Sequence, residues 1–421
     1  MSFESFSAAH STIIWSGFIL AFIMGVVATK TNFCTMGAVS DLVNIGDSGR
    51  IRAWFLAIAV AMIGVTIIES MEIISVDSTR PPYRGSNFAW LEYILGGIMF
   101  GIGMTLGSGC GNKTLIRIGG GNLKSIILFA VIAVCAYFMV NPFPGSDKTI
   151  YSVVFYNWTS ATNISLSGQQ DLGSMLASIF SADISTMRLV LGLLIGSLII
   201  ALVFRSADFR STKNNILAGI VIGLCVVGAW YVSGGMASIE ADGETYSWTG
   251  YASDDNWSML EEENRPDSIA VQSYTFINPI GETLRYAISG FDNKTFTFGL
   301  AALFGVIAGS LFWSVISRSF RIEWFVNGKD FLTHIIGGIL MGIGGVLALG
   351  CTIGQGITGV STLAVGSMLA LVSIIFGSAL TMKIQYYKMI HEADATFIKA
   401  LLSSLVDFKL LPESMRSLDS Y

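Results

Sequence analysis

Apolar residues in this chain come in long unbroken blocks, without the stripes of a soluble helix or the alternation of a half-buried strand. Nine blocks stand between polar stretches: 13–29, 53–70, 91–107, 123–140, 187–204, 216–233, 295–317, 334–349 and 363–382. Such lengths match the roughly 17–25 residues that cross about 30 Å of hydrocarbon at 1.5 Å per residue. The pattern predicts an all-α integral membrane protein with about nine transmembrane helices.

Composition agrees. Hydrophobic residues make up 52% of the chain and charged residues 13%, about half the charged share of a soluble domain. The N-terminus lacks a basic leader, so 13–29 reads as a retained first span and not as a cleaved signal. Basic residues are distributed unevenly about the blocks. With the N-terminus outside, the inside segments hold 17 of the 24 Lys and Arg residues. The outside segments hold seven: Arg80, Arg84, Lys148, Arg188, Arg265, Arg285 and Lys294. The positive-inside rule therefore predicts N-out and C-in.

Two outside stretches are long, 141–186 and 234–294. The second is acidic, with Glu240, Asp242, Glu244, Asp254, Asp255 and Glu261–Glu263, and it carries Trp248 and Trp257. It reads as a solvated loop more readily than as a substrate vestibule, since an acidic rim repels an anion.

The most informative pattern is internal. Gly96–Cys110 reads GGIMFGIGMTLGSGC and Gly337–Cys351 reads GGILMGIGGVLALGC, with nine identities in fifteen positions at one constant offset. The two copies lie on spans that cross in opposite directions. This predicts two inverted repeats, 13–140 and 216–382, joined by the outside loop 141–186 and a linking helix at 187–204. The second repeat carries the insertion 234–294, and a cytoplasmic tail follows at 383–421. Inverted repeats place a substrate site near the midplane, commonly beside broken helices. The sequences after each cysteine, GCGNKTLIRIGGGN and GCTIGQGITG, are too polar and glycine-rich to face lipid. They predict re-entrant segments at Gly109–Gly121 and Gly350–Gly359, since irregular backbone at membrane depth must lie against protein or water. A third motif, TKTNFCTMGA around Cys34, follows the first span, and its counterpart after the sixth is expected at Ser233–Gly235.

Five cysteines are an odd number, and none lies in the long polar loops where a secreted disulfide framework would put them. Cys135 and Cys225, mid-span among apolar neighbours, read as packing residues. Cys110 and Cys351 end the repeat in the same context and are the leading site candidates, with Cys34 behind them. A thiol in a narrow throat offers a weak S–H donor and a polarizable sulfur. It can hold a soft sulfur-bearing anion loosely enough for release, which conduction requires. Lys113 and Arg117 can draw an anion to a cytoplasmic exit, and Gln355 can add a polar contact one turn after Cys351. Glu69 is a candidate for proton coupling, set against simple solvation near a span end. His334 reads as a core or interface residue.

At NFCTMGA (32–38), GSGCGNKTLIRIGGGNLKS (107–125) and LGCTIGQGITG (349–359) the chain resembles the YeeE/YedE family of sulfur-compound transporters. The resemblance implies an inner-membrane permease of bacteria that imports thiosulfate or a related small anion through an hourglass of nine spans. By position, Cys34, Cys110 and Cys351 would relay the anion by S–H contacts without a covalent intermediate, with Gln355 in support. Relatives linked to selenium compounds make such a substrate the alternative, and some relatives work with a small cytosolic TusA-like sulfur carrier. An enzyme reading also stands: a membrane sulfurtransferase forming a cysteine persulfide, with Lys113 or Arg117 activating Cys110. A redox protein would need two cysteines with Cα atoms within about 7 Å. Three soft ligands could hold a cuprous ion, but the Met and His cluster expected beside them is missing. Nothing calls for a cofactor or a nucleic acid.

Overall fold

The computed structural model describes residues 1–241, 243–252, 266–391 and 394–418. Asp242, Asp254, Asp255, Trp257, Glu261–Glu263 and Arg265 therefore lie outside the described residues. Among those described, nine helices are long and apolar enough to cross a membrane.

The first half runs α1 (Phe6–Thr31), α2 (Thr35–Ser40), α3 (Gly49–Ser70), α4 (Trp90–Leu106), α5 (Gly111–Gly119) and α6 (Leu123–Val140). The linking helix α7 (Ile184–Phe204) follows. The second half runs α8 (Lys213–Gly234), α9 (Ile277–Ile288), α10 (Phe298–Ile316), α11 (Gly328–Leu347), a π-helical turn at Gly354–Gly359, and α12 (Val365–Ile390). Each expected block sits inside its helix to within a few residues. Lipid admits no other backbone than one that satisfies its own hydrogen bonds, so apolar run and helix coincide.

The packing repeats the order of the halves. Helix α1 packs on α10 as α8 packs on α3, and α4 packs on α12 as α11 packs on α6. The short elements obey the same exchange: α2 touches α3 and α12, and α9 touches α10 and α6. At the centre α4 crosses α11. A Cβ on Gly103 would fall 2.7 Å from the Gly337 carbonyl oxygen, and one on Gly344 would fall 2.7 Å from that of Gly96. The repeat glycines let two backbones touch, as small residues do between membrane helices. Helix α7 packs on α3 and has no counterpart in the exchange.

This pairing moves the expected fourth break. The counterpart of α2 is α9, so the position matching Cys34 is the Thr275–Phe276 junction and not Ser233–Gly235. The insertion lies between α8 and α9 and pushed the match some forty residues along the chain. Its described residues pair and pack as a solvated loop would not. Strand β1 (Ser2–Phe3) pairs in parallel with β4 (Ser238–Ala241), which pairs antiparallel with β5 (Glu244–Ser247). Trp248 is buried and stacks on His10 of α1 at 5.7 Å. A second small ribbon joins β2 (Asn87–Phe88) to β3 (Ile164–Ser165).

The last span runs on past 382 to Ile390, and the segment expected as a tail carries helix α13 (Phe397–Asp407) packed on α12. Arg416 fixes it by pairing with Asp407 at 2.8 Å and Glu413 at 2.7 Å.

Candidate functional site

All three candidate cysteines sit at breaks of one kind. Two residues before each, the backbone turns left-handed: Asn32 at φ 52°, Ser108 at 59° and Leu349 at 58°. A residue in that region ends a helix, and L-residues other than Gly adopt it at a cost. The chain then restarts a helix at the cysteine. Cys34 is the N-cap of α2 and Cys110 the N-cap of α5, both with extended backbone. After Cys351 the chain enters the π-helical turn Gly354–Gly359. The stretch after Cys110, expected as a loop, is thus mostly helix, because Thr114 and its successors can repair backbone bonds at once: Thr114 N–H donates to the Cys110 carbonyl at 2.9 Å.

The sulfurs take part in these caps. Gly37 N–H donates to Cys34 Sγ at 3.5 Å, and Gly354 N–H donates to Cys351 Sγ at 3.5 Å. Lys113 N–H stands toward Cys110 Sγ without closing a cap hydrogen bond. A sulfur that accepts from the backbone is fixed in rotamer and keeps its own S–H free to donate elsewhere. Cys110 faces Thr352 and lies within electrostatic reach of both Cys34 and Cys351. The three thiols are 5%, 2% and 0% exposed for Cys34, Cys110 and Cys351, and all are free.

Around them lie buried polar atoms with no hydrogen-bond partner, namely the hydroxyl of Thr35, the amide oxygens of Asn112 and Gln355 and the indole nitrogen of Trp54, while the hydroxyls of Thr352 and Thr275 face Cys110 and Cys351. Each such group costs about 1–3 kcal/mol when left unmade in a dry interior, and most buried polar atoms avoid it. A cluster of them beside three thiols makes a polar patch in an otherwise apolar interior. Trp54 joins the breaks, stacking on Phe33 at 4.8 Å and lying against Gly356. Gln355 Nε2 donates to the Ala348 carbonyl at 2.5 Å across the break, which holds Leu349–Cys351 in place.

Two linked cavities open from the inner face. One of about 470 Å³ reaches Cys34 and is lined by Arg50, Ser108, Lys113 and Arg117. Its neighbour, about 500 Å³, adds Lys30, Arg321 and Glu323 and shares Lys113 and Arg117. Arg50 is forked onto Asp41, with Nη2 at 2.5 Å from Oδ1. Sequence reading used Arg50 only as a count of charge; its nearness to Cys34 comes from α3 returning beside α2.

At the outer face a cavity of about 690 Å³ is lined by Asp77, Thr79, Pro82 and Gly85 and by Thr249 and Ile269–Val271 of the insertion. The insertion therefore walls a vestibule. Below it Arg84, fully buried, forks onto Glu69, reaches Asp77 at 3.2 Å and donates to the Thr362 carbonyl at 2.9 Å. Arg188 bridges Asp171 at 2.9 Å, Asp77 at 3.0 Å and Glu69 at 3.3 Å. Glu69 is thus held in an ion-pair network and not simply solvated.

The remaining candidates sit apart. Cys225 is buried in α8 and half-buried Cys135 of α6 touches Gly342. His334 is buried near the inner face, its Nδ1 2.8 Å from the Asp330 carbonyl.

Inverted halves, paired broken helices and a buried polar centre between a basic inner vestibule and an outer one define a membrane transport protein. A family model for sulphur transport matches residues 30–380, and the chain belongs to that family. It is 24% identical over 376 residues to the thiosulfate transporter TsuA of Escherichia coli, covering 87% of this chain and 93% of that one. It is 24% identical over 375 residues to the thiosulfate transporter TsuA of Spirochaeta thermophila, covering 87% and 97%.

Proposed function

We propose that the protein imports thiosulfate, or a sulfur anion of the same build, across the inner membrane past Cys351, Cys110 and Cys34. The observation that carries this is three thiols at helix breaks, two of them fixed by backbone N–H groups, beside unpartnered polar atoms. A fixed thiol donates weakly, so the anion is held and released without a deep well. The N-terminus of α5 adds the positive end of a helix dipole at Cys110. Lys113 and Arg117 then draw the anion into the inner vestibule, where a small cytosolic sulfur carrier would receive it. That both relatives are thiosulfate transporters supports thiosulfate as the cargo.

The persulfide alternative places Lys113 near Cys110 as an activator. Against it, Cys351 lies among Thr275, Phe276 and Gly354, none of which carries a charge, so a covalent hand-over between the two lacks its second activated sulfur. Uptake of labelled thiosulfate, sulfite, sulfate and selenite in cells lacking other importers tests the proposal. Thiosulfate should enter fastest, and intact mass afterwards should match the untreated chain. Preferential selenite uptake would reassign the cargo, and a mass gain of one sulfur atom would favour the enzyme.

A further inference from the structure

Between the outer vestibule and Cys351 stand two aromatic side chains that the cysteine path does not use. Tyr83 lies between Pro82 and Gly85, which line the vestibule, and is 2% exposed. Its ring covers Gly359 of the π-helical turn, where a Cβ would come within 2.8 Å of Tyr83 Cδ1. It also interacts electrostatically with Cys351. Trp230, near the outer end of α8, is fully buried and meets the Tyr83 ring edge-on at 6.3 Å. The Tyr83 hydroxyl and the Trp230 indole nitrogen are both buried without a hydrogen-bond partner.

Aromatic side chains with polar tips normally find a partner when buried. Two unpartnered tips on touching rings, at the mouth of a transport path, point to a ligand they share. Phenol O–H and indole N–H are hard donors that suit oxygen atoms, whereas a thiol suits sulfur. We infer that Tyr83 and Trp230 form an outer binding station that grips the oxygen end of a sulfur oxyanion and presents its terminal sulfur to Cys351. The anion exchanges its water for these two donors and travels sulfur-first into the thiol-lined centre. The inference rests on the proposed carriage of thiosulfate and adds the residues that select and orient it. Neither donor carries charge, so the station shares the shallow hold of the cysteines.

Tyr83→Phe and Trp230→Phe keep an aromatic ring and remove the donor. In proteoliposomes holding the full chain, each should raise the thiosulfate concentration for half-maximal uptake roughly tenfold. The maximal rate should change less than about twofold, since the later steps are intact. Without substrate, the Tyr83→Phe protein should melt at the same or a higher temperature, because an unsatisfied hydroxyl has gone. Weaker binding with undiminished stability is a pairing that a purely structural tyrosine would not give. If both variants keep the wild-type concentration dependence while Cys351→Ala abolishes uptake, the station is wrong and the cysteine path stands. A lowered melting temperature with unchanged concentration dependence would also overturn it, assigning the hydroxyl to a structural water. If Cys351→Ala transports as wild type does, the broader reading fails and takes the station with it.

Discussion

Ser108 and Leu349 occupy the same place in the two half-repeats, and both hold left-handed backbone, at φ 59° and 58°. Neither side chain earns that conformation; it costs an L-residue about 1–2 kcal/mol. The break it makes puts Cys110 and Cys351 at a helix start, with the Cys351 sulfur anchored by Gly354 N–H. Ser108→Gly should therefore keep uptake and leave the melting temperature unchanged or slightly raised. Ser108→Val, β-branched at a positive φ, should destabilise by about 1–3 kcal/mol and lower uptake in proportion to misplaced Cys110. Thermal unfolding beside uptake checks both, and equal behaviour of the two variants would contradict it.

The crossing of α4 and α11 leaves no room for side chains. Gly103→Val should push the helices apart at Gly337 and Met341, where a Cβ already falls 2.7 and 2.8 Å from backbone atoms. Loss of a single sharp peak on size exclusion is expected, with overpacking worth about 1–3 kcal/mol or more. A monodisperse, fully active variant would show that the two breaks do not depend on this contact.

The outer charge network should set acid stability. Burial alone would raise the Asp171 carboxyl, but hydrogen bonds from Arg188 and Ser174 and the charge of Arg84 outweigh it and hold it below its ordinary 3.8. A depressed carboxylate lends stability that is present above its unfolded pKa and is lost as pH falls through the folded value. Wild-type stability should thus decline only below about pH 4 from this group. Arg188→Gln removes the cation paired with Asp171 and one of the two paired with Glu69, which should cost about 3–5 kcal/mol at neutral pH. It should also move the acid limb to higher pH. Melting curves across pH read both effects; an unshifted acid limb would contradict the assignment.

Much of this molecule is legible in its sequence because lipid is a strict solvent. It admits only long apolar helices, so nine blocks became nine helices, and the Lys and Arg count gave each an orientation. The Gly96–Cys110 and Gly337–Cys351 match exposed the inverted halves because touching backbones demand glycine at fixed places. What the sequence hides is pairing across distance. Arg84 and Arg188 look like two stray outside charges until the fold brings them to Glu69, Asp77 and Asp171. The mate of Cys34 was misplaced because the insertion shifted Thr275–Phe276 away from the end of α8. Ser2–Phe3 pairs with Ser238–Ile239 through backbone groups that no side-chain pattern reports. Tyr83 and Trp230 carry no motif, and their interest lies in partners they lack.

The inner vestibule should act by charge. Lys113 and Arg117 line both inner cavities, so Lys113→Gln and Arg117→Gln should each slow uptake several-fold and weaken its dependence on ionic strength. Lys113→Arg should restore most of the rate. If the neutral variants transport normally at low salt, these residues serve topology alone.

The central claim is that the two symmetry-related thiols carry the anion. Uptake of radiolabelled thiosulfate into proteoliposomes by wild type, Cys110→Ala and Cys351→Ala tests it most directly, with Cys225→Ala as the packing control. The account predicts that both path variants insert and run as monodisperse protein yet lose uptake, while Cys225→Ala keeps it. Wild-type uptake by either Cys110→Ala or Cys351→Ala would contradict it.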